Sequence, residues 1–234
     1  MVCVNLVDRT EPTTITDLAE NNNVPIIFFN RELVAEDLER WKDLYYVGAD
    51  ASESGTLEGE LAADAFGAAH AFLMVGGTTS SVQTMVLTAC KRGDEIILPR
   101  NVHRSVLNAL VLCGAIPVYV NPEVDQRLGI SLGMKREQVE KAIKEHPKAV
   151  AVLVNKPTYY GICSDLRAIV KMAHDAGMLC LADEAHGTHF YFGGGLPVSA
   201  MAAGADMAAV SMHKSAGPNA RRWPGYPGPV PCPG

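Results

Sequence analysis

The chain has 234 residues, 48% of them hydrophobic and 20% charged, with a formal net charge of −6. These values fit one large globular domain, or a domain with an appendage, and an acidic chain gains nothing from nucleic acid or an anionic membrane surface. The amino terminus shows no basic region followed by a secretory apolar run, and no apolar span of about 18 residues occurs. The cysteines (Cys3, Cys90, Cys113, Cys163, Cys180 and Cys232) form no Cys-x-x-Cys pair. A reduced, cytoplasmic protein is therefore expected, with Cys90, Cys113 and Cys180 as buried thiols.

Residues 1–60 form an amino-terminal segment without legible chemistry. Val24–Phe29 reads as a strand, and the spacing of Leu33, Leu38, Trp41 and Leu44 predicts a helix over Glu32–Leu44. Tyr45–Gly59, rich in Gly, Ser, Ala and acids, reads as loop. A regular pattern then runs through residues 61–217. Glu60–Phe66 is a helix closed by Gly67, Ala71–Val75 a buried strand, and Gly76–Ser81 a turn opening a helix to Lys91. There follow strand Asp94–Leu98, helix Val102–Cys113, strand Ile116–Val120 and a loop to Gly133. Helix Lys135–Glu145, strand Ala149–Val154, helix Ser164–Ala176 and strand Leu179–Ala182 continue the alternation. A small-residue helix, Ser199–Gly204, leads to a last strand, Met207–Val210. Short apolar strands alternating with helices of ten or more residues predict a three-layer α/β/α fold with a mainly parallel sheet. Residues 218–234 are dense in proline, which removes backbone donors and forbids both helix and central strand. That stretch is expected to be an aberrant tail of a truncated or frame-shifted product.

Ligands of open α/β sheets bind beyond the carboxyl ends of the strands, and several chemical groups fall there. Asp183-Glu184-Ala185-His186-Gly187 ends one strand, and Ser211-Met212-His213-Lys214 ends the next. A lysine beside an aspartate suits pyridoxal 5'-phosphate: the amine forms a Schiff base and the carboxylate keeps the pyridine nitrogen protonated. Gly76–Ser81, with Thr78 and Thr79, reads either as a phosphate cradle at a helix start or as an ordinary N-cap. It lacks the lysine of a P-loop and the third glycine of a dinucleotide fingerprint. His103 stacks on a flat ring or simply starts a helix, and Thr158 reaches a cofactor or begins a turn. The spacing of Asp183, Glu184, His186 and His189 fits no zinc signature, so no metal is expected.

Five segments, Ala65-Phe66-Gly67-Ala68, Gly77-Thr78-Thr79-Ser80, Arg100-Asn101-Val102-His103-Arg104-Ser105, Pro157-Thr158-Tyr159-Tyr160-Gly161 and Asp183-Glu184-Ala185-His186-Gly187, resemble in order the Orn/Lys/Arg decarboxylase family. Ser211-Met212-His213-Lys214 closes the series. This is a family of fold-type-I pyridoxal-phosphate enzymes of the aspartate aminotransferase superfamily, and the resemblance spans about Leu61 to Gly217. It implies that Lys214 carries the cofactor, Asp183 pairs with the pyridine nitrogen and His103 stacks on the ring. Thr78, Thr79, Ser211 and His213 would hold the phosphate, with His186 near the ring or substrate. The implied reaction is decarboxylation of arginine, lysine or ornithine to the corresponding amine. The alternatives are another fold-type-I reaction (aminotransferase, aldolase or lyase) or an inactive fragment. An amino-acid substrate and a homodimer or larger assembly are implied as partners.

Two departures from the family stand out. The His-x-Pro-Gly-His-Lys-like segment is not found before residue 60. After Lys214 the chain runs through Ser215-Ala216-Gly217 into the proline-rich tail instead of the family's Gln-Ser-Ser-type run. A sheet lacking the strand that follows exposes unpaired backbone groups, so this polypeptide alone is expected to be poorly stable, with little turnover.

Overall fold

The computed structural model describes residues 1–6, 12–29, 33–48 and 51–215. Cys232 and the proline-rich stretch lie outside the described residues. The chain divides into two compact units, Met1–Asp64 and Ala65 onward.

In the first unit, β1 (Val2–Val4), β2 (Ile26–Phe29) and β3 (Leu44–Val47) form a parallel sheet in that order. Ile26 and Phe28 point inward with Leu6, Ala19, Leu33, Trp41 and Leu44 to make its core, while α1 (Thr13–Asn21) supplies Ala19. The expected strand near Val24–Phe29 is present. The helix expected over Glu32–Leu44 is only the four-residue α2 (Ala35–Leu38), and Leu44 begins a strand. Trp41 and Leu44 are buried as helical spacing suggested, but Leu44 and Tyr46 alternate with exposed Tyr45 and Val47, which is the period of a strand. The loop expected over Tyr45–Gly59 is also corrected, because α3 (Ala51–Phe66) starts well before Glu60. Where its side chains are described, that helix buries almost none of them, so no apolar stripe marked its first turns.

The second unit is a five-stranded, wholly parallel sheet in the order β10-β9-β8-β4-β5. The strands are β4 (Glu95–Pro99), β5 (Ile116–Val120), β8 (Ala151–Asn155), β9 (Leu179–Glu184) and β10 (Met207–Val210). The three inner strands, β4, β8 and β9, bury both faces. Ile96, Leu98, Ala151, Leu153, Leu181 and Ala209 pack with α4 (Gly77–Ala89) and α5 (Arg104–Cys113). Ile97, Val152, Val154, Cys180 and Ala182 pack with α6 (Arg136–Glu145), α7 (Leu166–Asp175) and α8 (Ala200–Ala203) on the other face. Two apolar layers on one sheet make the three-layer α/β/α architecture, as expected. Burial of this kind lifts the Cys90 and Cys180 thiols to about 12, so neither is a reactive thiolate.

One expected strand is absent. Ala71–Val75 is irregular, and Phe72 is 82% exposed. A strand needs a partner for its backbone groups, and β10 stands at the edge of the sheet without pairing to this segment. The loop expected before Gly133 contains instead a small antiparallel pair, β6 (Val124–Asp125) and β7 (Ile130–Ser131).

Candidate active site

β9 runs Leu-Cys-Leu-Ala-Asp-Glu and carries its apolar pattern into two consecutive acids that are still inside the strand. Alternation sends Asp183 to the α4/α5 face with Leu181, and Glu184 to the α6/α7/α8 face with Ala182. Asp183 is 5% exposed, and its Oδ1 accepts the Ala185 N–H at 3.2 Å. Burial pushes its carboxyl above the ordinary value, against the pull of the Ala185 amide, His103, Lys214 and His186.

β10 lies directly beside β9, with Ala209 across from Asp183. One turn beyond its end, α9 (Met212–Ser215) carries His213 and Lys214. The exposed Lys214 Nζ stands 3.4 Å from His186 Nε2. Burial, followed by the Lys214 charge, holds the His186 imidazole below its usual range. The exposed Tyr159 ring meets His186 nearly at right angles, the centroids being 5.9 Å apart. Buried Ser211 meets His213, Oγ to Nδ1 at 3.2 Å.

The amino end of α4 reaches the same strand end, where the Thr78 hydroxyl donates to the Val210 carbonyl at 3.4 Å. Its cap is Gly76, which supplies no side-chain hydrogen bond; the Gly77 N–H donates to the Met74 carbonyl at 3.0 Å, and the amides that follow it have no cap side chain to compete for them. A Cβ on Gly76 would stand 2.8 Å from Ser80 Cβ, and Gly77 has φ +70, so this tight entry requires glycine. Thr79 is exposed on that first turn. His103 follows β4 and caps α5, its Nδ1 accepting the Ser105 N–H at 3.2 Å. It therefore starts a helix, and its ring remains exposed within the electrostatic reach of Asp183.

Asp183, His186, Lys214 and His103 thus share one end of the sheet, and Thr78, Ser211 and His213 surround the end of β10. Of the two readings of Thr158, the turn is observed: its hydroxyl accepts the Ile162 N–H, and its carbonyl the Gly161 N–H. Among the described residues no group of three His, Cys, Asp or Glu side chains could hold a metal ion, and no helix is long and apolar enough to cross a membrane.

A polar cluster on the opposite face went unread in the sequence. Glu184 is fully buried; its Oε2 accepts the Tyr191 hydroxyl at 2.7 Å, and both carboxylate oxygens accept the Ala200 N–H at 2.9 and 3.0 Å. The Lys156 ammonium, 1% exposed, lies 3.9 Å from Glu184 Oε1, donates to the Val198 carbonyl and sits over the Phe190 ring. Burial pushes the Lys156 amine down and the Glu184 carboxyl up. The available signal was the pair of acids ending a buried strand, since alternation forces one of them inward, where it needs a partner.

Residues 37–219 match the family described as "Orn/Lys/Arg decarboxylase, major domain". The chain is 51% identical over 158 residues to an arginine decarboxylase of Bacillus subtilis, covering 68% of this chain and 32% of that protein. It is 30% identical over 136 residues to the lysine decarboxylase LdcA of Pseudomonas aeruginosa, covering 53% of this chain and 18% of that one. The solved structure of lysine decarboxylase A from Pseudomonas aeruginosa superposes with a TM-score of 0.61 at 25% identity, over 68% of this chain and 24% of that one. The chain spans at most about a third of the length of these curated relatives.

Proposed function

The chain belongs to the Orn/Lys/Arg decarboxylase family, and from that premise we propose that its second unit is the cofactor-holding part of a pyridoxal-phosphate enzyme. The reaction proposed is removal of the α-carboxylate of a basic amino acid. The observation that carries this reading is one carboxylate and one amine at the ends of adjacent parallel strands. Asp183 lies at the end of β9 and Lys214 one turn beyond β10, within each other's electrostatic reach.

The residues present fit the cofactor. The uncapped first turn of α4, with Thr78 and Thr79, offers amides and hydroxyls to a phosphate, and Ser211 and His213 add donors beside it. Among the described residues the buried Asp183 carboxyl forms no ion pair, although Lys214 acts on it from a distance, and a protonated pyridine nitrogen would give it a partner. When bound, the cofactor supplies an aldehyde that condenses with an amine, releasing water, and a protonated ring that draws electrons from the substrate's α-carbon.

This chain's own residues do the rest. Asp183 would hold the ring nitrogen in its protonated form, and the exposed His103 imidazole would lie against the ring. The His186 imidazole, held below its usual range by burial and by the Lys214 charge, stands within hydrogen-bond distance of the lysine amine. Lys214 or His213 on α9 would supply the proton that takes the place of the α-carboxylate, lost as carbon dioxide. The family resemblance and the arginine and lysine decarboxylase relatives support a basic substrate.

The chain, incubated with pyridoxal phosphate and reduced with borohydride, is expected to carry the added mass on the Lys214 peptide. An absorbance band near about 420 nm should accompany binding and vanish in Lys214→Ala. Labelling of another lysine, or no uptake, refutes the reading. Carbon dioxide and an amine, rather than a keto acid, from arginine, lysine or ornithine identify the reaction.

A further inference from the structure

Lys214 stands on a four-residue helix that buries none of its side chains, so apolar packing does not fix its position. Polar links at the Ser211 carbonyl do. That oxygen accepts the Lys214 backbone N–H at 3.3 Å and the Thr188 hydroxyl at 3.0 Å. Thr188 is fully buried and opens the 3-10 helix Thr188–Tyr191. The far end of that helix is tied down from the other face of the sheet, where the Tyr191 hydroxyl donates to Glu184. Glu184 also holds the first N–H of α8 and faces Lys156. Just before its first residue, the cap Gly187 fits so closely that a Cβ would stand 3.0 Å from Glu184 Cγ, the Phe190 ring and Pro157 Cδ. The 3-10 helix is thus a short strut, fixed at one end by Glu184 and pressing its Thr188 hydroxyl on the carbonyl from which α9 starts.

We propose that Thr188 is a positioning residue for Lys214: its hydroxyl, braced by the Glu184 cluster, holds the Ser211 carbonyl and so sets where the Lys214 amine stands relative to Asp183. The inference rests on the reading of Lys214 as the cofactor-bearing residue. A threonine kept only for packing would be replaced by valine at little cost, because the two have the same shape. The buried hydroxyl is the part that the strut uses.

The test compares Thr188→Val and Thr188→Ser with the unaltered chain in two measurements. The first is affinity for pyridoxal phosphate, by absorbance titration. The second needs no cofactor: acetic anhydride labelling of Lys214, by mass spectrometry, with exposed Lys171 as the internal reference. Thr188→Val is expected to bind about fivefold more weakly, the worth of one hydrogen bond, and to label at Lys214 at a rate closer to that of Lys171. Thr188→Ser is expected to match the unaltered chain in both. A folded Thr188→Val with unchanged affinity and unchanged labelling overturns the proposal. If the unaltered chain takes up no pyridoxal phosphate, the functional reading fails and the labelling alone decides the positioning role. If Thr188→Val does not fold, Tyr191→Phe decides, since it deletes one oxygen of the brace and keeps the ring. A shift in its two measurements supports the proposal, and no shift in either overturns it.

Discussion

Asp183→Asn should make the cofactor-free chain more stable. The carboxyl is 5% exposed, and burial is the largest influence on it, outweighing the Ala185 N–H, His103, Lys214 and His186 together. Asparagine keeps the shape and the oxygen that accepts from Ala185, and removes the buried charge. The attraction to Lys214 and His186 is lost with it, so the net gain is about 1 kcal/mol, roughly 2–4 °C for a unit of this size. Its pH dependence has a definite sign. A carboxyl whose folded value is raised contributes stability that is present below its unfolded value, about 3.9, and is lost as pH rises through the folded value. The advantage of asparagine should therefore be near zero at about pH 4 and full at about pH 8. Thermal unfolding followed by circular dichroism across that range measures it. Adding pyridoxal phosphate should reverse the order, since only the aspartate form gains from a cationic ring beside it. A variant about 1 kcal/mol less stable than the unaltered chain at pH 8, or a difference independent of pH, would refute the claim that burial dominates at this carboxylate.

Glu184→Gln removes the charge facing the buried Lys156 ammonium, which keeps, among the described residues, the Val198 carbonyl and the Phe190 ring. The expected loss is about 3–5 kcal/mol by urea unfolding, and adding Lys156→Met should recover most of it. Strict additivity of the two single changes would show that the pair is not coupled. Gly76→Ala should shift the first turn of α4, because the new methyl group meets Ser80 Cβ at 2.8 Å. Affinity for pyridoxal phosphate, by calorimetric titration, should then fall by about tenfold, ~1.4 kcal/mol, while unchanged affinity would remove the α4 turn from the phosphate site.

The legible parts of the site were those where local pattern and chemistry coincide. A buried strand that breaks into Asp183-Glu184, or into Ser211-Met212-His213-Lys214, announces a strand end with reactive groups on it, and the parallel fold brings such ends together. Gly76-Gly77 before a run of hydroxyls announced the entry to α4. Thr188 gave no such signal, because its importance lies in a hydrogen bond to a residue 23 positions later. Lys156 reads as a lysine beside a proline turn, and only the pairing of β8 with β9 turns it into the counter-ion of Glu184.

The amino-acid order by itself determined the alternation of helices and strands in the second unit, its two buried faces and the chemical groups at its strand ends. These depend on periods of two and 3.6 residues and on short-range turn chemistry, which any stretch of about ten residues contains. Tertiary structure decided what depends on a partner. Ala71–Val75 has the composition of a strand, yet it remains irregular, since backbone hydrogen bonds require a neighbouring strand and no residue can supply one to itself. Which of two adjacent acids faces the Lys214 amine, and which is locked beneath the sheet with Lys156, was likewise set by the layers packed on either side. Burial and pairing are properties of space between segments, and sequence proximity does not encode them.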